Sequence, residues 1–238
     1  IMENILQTRN CISAAAAYSL GYFPIQFKFT HHVKTADVYF VWGEYFSSLC
    51  LASNDKSKYH VVCGYPGDHY IKEFIECSEK KYGCFDTPLI AIYDTTFADD
   101  LFMSEKENDI FVEGIVRYAI SKNARVIIKA KKNVALYNDL CKEFSGKLFL
   151  SRTPASFSAS MNANLVIGYL SATPCAVSGV WGRSIVLYDP YNMIWENGRE
   201  IFSDYIVRTK KDLFSRIDDA IKINNKNTSL TIITYADS

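Results

Sequence analysis

Apolar residues come in short runs separated by polar turns, and after about Ala36 these runs alternate between strand and helix periods. Val38–Trp42 and Tyr59–Cys63 read as strands, with a short helix over Glu44–Leu51 between them. The turn Gly64-Tyr65-Pro66-Gly67-Asp68 leads to a helix near His69–Lys80. Pro88–Asp94 is a continuous apolar strand, the kind that is covered on both faces of a parallel sheet. An amphipathic helix is expected over Asn108–Ser121, with Ile110, Phe111, Ile115 and Tyr118 near one face. Then come strand Arg125–Ala130, helix Val134–Phe144 and a short strand Leu148–Leu150. Thr153-Pro154 breaks the chain before a brief helix around Ser156–Met161.

The segment Asn164–Asp189, NLVIGYLSATPCAVSGVWGRSIVLYD, is the most informative. It reads as strand (Leu165–Ile167), turn, short helix, tight turn, strand (Ile185–Leu187). Gly168 permits close backbone approach, and Ser171 or Thr173 can cap a helix whose first residue is Pro174. A helix start at the carboxyl edge of a parallel sheet presents unpaired N–H groups and a positive dipole end, which suit a phosphate. Tyr205–Val207 reads as a last strand. Thr209-Lys-Lys-Asp212 is a capping box for a helix through Ile223 with Leu213, Ile217 and Ile221 as its buried stripe. The alternation predicts an α/β, Rossmann-like, doubly wound parallel sheet.

The beginning does not continue this pattern. Ile12–Leu20 reads as a helix and Pro24–Phe29 as a strand, too little for a domain. The expectation is a remnant of a second domain over residues 1–35, with Thr30–Thr35 as its linker, and a Rossmann-like domain over 36–238.

Composition narrows the function. Lys+Arg and Asp+Glu both number 26, and 49% of residues are hydrophobic. The chain can therefore bury a sizeable core, and no basic excess calls for nucleic acid. No polybasic run or long apolar span calls for a membrane, and Cys11–Tyr18 makes a poor secretory signal. The seven cysteines, Cys11, Cys50, Cys63, Cys77, Cys84, Cys141 and Cys175, show no C-x-x-C spacing. Buried free thiols in a reducing, cytoplasmic setting are expected. No metal site is expected, His69 included, because no carboxylates stand at metal spacing. Neither G-x-x-x-x-G-K-[ST] nor G-x-G-x-x-G occurs.

The order ADVYFVWGEY, VVCGYPGDHY and a Rossmann-like half ending in NLVIGYLSATP…GRSIVLYD resembles the C-terminal half of GT-B glycosyltransferases. The resemblance covers roughly Gly21 to Ile221 and is nearest to bacterial enzymes that build surface polysaccharides. It implies two facing Rossmann-like domains, the second holding a nucleotide-sugar donor and the first a glycan or lipid-linked glycan acceptor. This chain would carry the donor domain and the tail of the acceptor domain. No cofactor is implied, and no nucleic acid partner. Location would be cytoplasmic, with the inner face of the membrane reached through a partner or missing domain.

The resemblance also implies site residues. Ser171, Ala172 and Thr173 match the family's hydroxyl-rich turn before the phosphate-binding helix, beside Gly168. Lys129 keeps the charge of a Lys-Pro-His-Pro-like sequence whose Pro and His are lost in Lys129-Ala130-Lys131-Lys132. Arg183 stands in a turn near the site, and Asp189 closes the following strand. The Glu that often holds the donor ribose is missing from Cys175-Ala176-Val177-Ser178.

From position alone, Thr95 and Thr96 follow a strand at its carboxyl edge and can reach a diphosphate. His31 and His32, in the interdomain linker, are candidates for the catalytic base. Each residue also has a plain reading, as a helix cap, a turn residue or a solvated strand end. Three functions compete: glycosyl transfer, epimerisation of a nucleotide-sugar on the same fold, and a non-catalytic donor domain used for binding or assembly. The scarcity of His and carboxylate clusters counts against the epimerase. The missing helix Glu favours the non-catalytic domain.

Overall fold

The computed structural model describes residues 12–16, 36–44, 56–65, 87–94, 104–130, 135–151, 159–169, 172–192 and 203–224, with single residues at 47, 70, 73 and 76. They form two parallel sheets. The first has three strands in the order β1 (Ala14–Ala16), β2 (Val38–Val41), β3 (Tyr59–Val62). The second holds six strands: β4 (Leu89–Tyr93), β5 (Arg125–Lys129), β6 (Leu148–Ser151), β7 (Leu165–Tyr169), β8 (Ile185–Tyr188) and β9 (Ile206–Val207). Helices α1 (Glu105–Ser121), α2 (Ala135–Glu143), α3 (Thr173–Val180) and α4 (Lys210–Asn224) accompany it.

The large sheet runs β6-β5-β4-β7-β8-β9, with every pair parallel. Counted from β4, that is the doubly wound order 3-2-1-4-5-6. A right-handed crossover obliges the helices to change face when the chain reverses direction, and they do. Ile90, Ile92, Val126, Ile128 and Ile167 pack with α1, α2 and α4. Leu89, Ala91, Tyr93, Ile127 and Val166 face the other way, toward α3 and Ala159–Ala163. Every residue of β4 is buried, as its unbroken apolar run requires.

Local signals set the helix ends. Ser104 and Glu107 form a reciprocal capping box that starts α1 before the expected Asn108. With that start, α1 buries Phe111, Val112, Ile115, Val116 and Ala119, while Ile110 points outward, 48% exposed. The expectation that Ile110 shares the buried face is therefore corrected: it lies one position outside the stripe. Thr209 accepts from the Asp212 N–H at 3.1 Å, and α4 buries Leu213, Ile217 and Ala220, with Ile221 partly covered. Arg117 binds both oxygens of Glu143, tying α1 to α2, and Tyr118 stacks on Phe214 at 4.0 Å, tying α1 to α4.

Two expectations about the beginning of the chain change. Ala14–Ala16 is a strand, not part of a helix, and pairs with Val38–Phe40. Alanine's helix preference of a few tenths of a kcal/mol per residue yields here to sheet pairing. Val38–Trp42 and Tyr59–Cys63, expected among the strands or flanking elements of the large sheet, pair instead with β1 and each other. The small sheet thus spans residue 35, where sequence reading divides the chain. Pro24–Phe29 and the linker Thr30–Thr35 lie outside the described residues, as do most of Glu44–Leu51 and His69–Lys80 and the first half of Ser156–Met161.

Asp37 fastens the small sheet. Its carboxylate accepts from Lys58 Nζ at 2.5 Å and from the Ser13 N–H and hydroxyl, each at 2.9 Å. The Lys58 ammonium first, then the Ser13 donors, lower its pKa from 3.8 to about 2. A depressed carboxyl stabilises above its unfolded pKa and loses that effect as pH falls through the folded value. The small sheet should therefore loosen between about pH 4 and pH 2 in thermal unfolding followed across pH. Asp37→Asn should flatten that part of the profile; an unaltered acid limb would refute the assignment.

Ring contacts join the two sheets. Trp42 meets Tyr65 edge-on at 4.7 Å, and Tyr65 lies 6.0 Å from Trp181 at the end of α3.

Candidate functional site

In a doubly wound sheet the loops after neighbouring strands diverge where the strand order reverses, leaving a crevice at the carboxyl edge. Here that point lies between β4 and β7, which pair from Ile90↔Leu165 to Tyr93↔Gly168. Tyr93 also pairs with Lys129, and Gly168 with Leu187. Lys129, Tyr93, Gly168 and Leu187 therefore form one cross-strand row. Tyr93 and Leu187 in this row face α3, so alternation turns Lys129 to the same side. Two strand spacings, about 10 Å, separate Lys129 from Gly168.

Helix α3 begins at this edge. Ala172 is its N-cap, Thr173 and Pro174 open the helix, and no side-chain hydrogen bond caps it. The expected cap by Thr173 is corrected: Thr173 is already inside the first turn. Ser171 lies outside the described residues. The first turn has no acidic residue, so its positive dipole end is not offset from within.

Gly168 has a different reason from the one expected. A Cβ there would lie 2.8 Å from Ala172 Cβ and 3.0 Å from Cys175 Cβ. The close approach that glycine permits is that of α3 itself. Gly179 plays the same part at the other end, where a Cβ would meet Ile185 Cδ1 at 2.8 Å. Between them Cys175 is fully buried, which pushes its thiol up to about 12. Tyr93 donates to Ser160 Oγ at 3.0 Å, Ser160 meets Ser178 Oγ at 2.7 Å, and Ser178 donates to the Pro174 carbonyl at 2.6 Å. This buried chain of hydroxyls fixes α3 against the end of β4.

The next row faces the opposite layer. Asp94, 2% exposed, accepts from Tyr137 at 3.4 Å, and Tyr137 accepts from Asn108 Nδ2 at 2.9 Å. Burial first, and the Asp94 charge second, raise the Tyr137 phenol above its ordinary value. Tyr169 ends β7 beside Tyr188, packed edge-on to Phe111 at 5.5 Å. Asp189 follows β8, fully buried, its N–H on the Val207 carbonyl.

Of the residues singled out from the sequence, Lys129, Gly168, Ala172, Thr173 and Asp189 gather at the carboxyl edge. Arg183 does not. It precedes β8, at the amino edge, a strand's length of roughly 15 Å from the crevice, and the expectation of a turn near the site is corrected. Burial lowers its guanidinium pKa. His31, His32, Thr95 and Thr96 lie outside the described residues. Sequence reading missed Asn108, Tyr137 and Tyr169, polar groups on apolar faces whose partners are far along the chain. Among the described residues, Cys63 is an exposed free thiol, unlike the buried thiols expected, while Cys175 fits that expectation. No group of His, Cys, Asp or Glu among them could hold a metal, and none of their helices is long and apolar enough to cross a membrane.

No family model matches the chain, and no curated protein matches its sequence. Solved structures do match. A variant of the wall teichoic acid polymerase TagF aligns at a TM-score of 0.54 and 10% identity, over 92% of this chain and 70% of that one. A second TagF variant gives 0.56 at 12% identity, over 80% of this chain and 50% of the other. A third, soaked with CDPG for 30 minutes, gives 0.54 at 12% over 80% and 49%. The chain thus spans between about half and 70% of these TagF chains. At such identity the likeness is one of architecture, and by it the chain has the Rossmann-like α/β fold of GT-B glycosyltransferases.

Proposed function

We propose that this chain carries the donor side of a glycosyltransferase that uses a nucleotide-activated sugar to extend a surface glycan. The observation that carries the proposal is the row of Lys129 and Gly168 on the face where the uncapped start of α3 meets the carboxyl edge. A diphosphate lying there would receive helix N–H groups from one side and an ammonium from the other. TagF, named as a wall teichoic acid polymerase, offers the parallel for the acceptor. The six-stranded sheet is then the donor domain, and we place the domain division after β3, with the small sheet on the acceptor side.

Transfer needs an acceptor hydroxyl to attack the anomeric carbon as the bond to the nucleotide phosphate breaks. The electron pair leaves on the phosphate oxygen, and the acceptor proton passes to a base, for which His31 and His32 are the candidates. Helix N–H groups and Lys129 act on the charge that develops on the leaving phosphate, which is electrostatic catalysis by preorganised donors. A second reading, a donor domain that binds without turnover, draws support from the absence of an acidic residue in the first turn of α3.

The test is calorimetric binding of CDP, UDP, GDP, dTDP and CDPG, followed by assay for released nucleotide. Lys129→Ala should weaken a nucleoside diphosphate about ten- to a hundredfold and leave the nucleoside unchanged, since only the phosphate feels the charge. Equal losses for both would move the phosphate elsewhere. Binding without release, even with acceptor glycan present, would favour the non-catalytic domain.

A further inference from the structure

Tyr169 is 2% exposed, yet its hydroxyl has no hydrogen-bond partner among the described residues. Such groups are costly, and a native fold seldom keeps one without use. The phenol stands at the end of β7 on the face away from α3, one row beyond Gly168, at the β4/β7 crevice. Its ring packs edge-on against the stacked pair Phe111 and Tyr188, at 5.5 and 6.1 Å, so the hydroxyl has little freedom to turn elsewhere.

The groups around it share a chemical character. Burial first, and then the nearby Tyr191, Glu107, Tyr188 and Asp189, raise the pKa of the Tyr169 phenol. Two are carboxylates and two are phenols; none is a cation. Glu107, in the first turn of α1, accepts from Tyr191 at 2.5 Å, an exposed bond that an entering ligand can exchange for its own. Carboxylates accept and never donate, and they repel phosphate. A ligand group that enters here cannot be an anion and must be rich in donors, and vicinal hydroxyls, which accompany the phosphate in a nucleotide-activated sugar, meet both conditions.

From this we infer that Tyr169, Glu107 and Asp189 form a hydroxyl-recognising subsite on the α1 side of the crevice, opposite the phosphate position on the α3 side. It rests on the donor-site reading above and deepens it. The ligand would lie across the crevice with its phosphate toward α3 and Lys129. Its polyhydroxyl part would displace Tyr191 from Glu107 and give the Tyr169 hydroxyl a partner that no described residue supplies. Ribose hydroxyls and those of the transferred group are the two sources of this chemistry.

Tyr169→Phe is the direct test, because it keeps the ring and removes only the hydroxyl. The variant should melt at the same temperature or higher, having lost a buried hydroxyl that no described residue pairs. It should bind a ribonucleoside diphosphate about tenfold more weakly if the ribose is read. In that case the 2′-deoxy or 3′-deoxy ligand should bind the unaltered chain about tenfold more weakly and show no further loss with Tyr169→Phe. If the transferred group is read, the variant should bind the nucleoside diphosphate normally and lose affinity for CDPG or a nucleotide-sugar alone. Unchanged affinity of Tyr169→Phe for all these ligands would overturn the subsite while leaving the donor site intact. Failure of the unaltered chain to bind any of them would overturn both.

Discussion

Gly168→Val should destabilise the protein by about 1–3 kcal/mol, lowering the melting temperature by roughly 2–12 °C. The new Cβ would lie 2.8 Å from Ala172 Cβ and 3.0 Å from Cys175 Cβ, and neither can swing aside as a long side chain would. The strand is central and buried throughout, so α3 must move. Its first turn then leaves the carboxyl edge, and nucleotide diphosphate affinity should fall with stability. Gly114→Ala supplies the contrast: that glycine is inside α1, and a Cβ added there would meet nothing within 4 Å. The change there should add about 0.5–1 kcal/mol through helix propensity, without touching binding. A Gly168→Val protein with unchanged melting would mean that α3 does not pack as described.

Ile115→Ala should cost about 2–5 kcal/mol in denaturant unfolding, a large share of the roughly 5–15 kcal/mol typical of a folded protein. Ile115 is 1% exposed and sits in the core between α1 and the large sheet. Truncation leaves a cavity that fixed neighbours in the strands cannot fill. Ile110→Ala, five residues earlier on the same helix, should stay within about 0.5 kcal/mol. The pair tests the rotational setting of α1: similar costs at both positions would show that the helix is turned from the orientation described.

The same helix shows what could be read from sequence and what could not. Ile110, Phe111, Ile115 and Tyr118 suggest a face, but the 3.6 period alone tolerates a drift of one residue at its margin. The capping box of Ser104 and Glu107 is a local signal that settles the start. Asn108, where the sequence reading starts the helix, is fully buried and bonded to Tyr137. The large sheet was legible because continuous apolar runs separated by helical periods have few other solutions. Membership of the small sheet was not: a parallel strand looks the same locally in either sheet. The one local hint is in β3, where Tyr59, Val61 and Val62 stay exposed, unlike the wholly buried β4. At the candidate site, the placing of Lys129, Gly168 and the start of α3 at one sheet edge could be read from strand, turn and helix. Tyr169 could not, because its hydroxyl is singled out only by the lack of a partner among the described residues, which depends on contacts far along the chain.

The order of strands has a consequence for how the protein is made. β4, β5 and β6 follow one another in the chain and pair as neighbours, as do β7, β8 and β9. Each set can assemble through comparatively short crossovers. The joint between β4 and β7 must instead close over α1, β5, α2 and β6, and closure entropy grows with that length. Long-range parallel pairing forms late on such grounds. The crevice lies on that joint, so neither half of the fold contains it. Binding across the crevice would hold together the contact that the chain finds hardest to form, and ligand and folding would draw on the same seam.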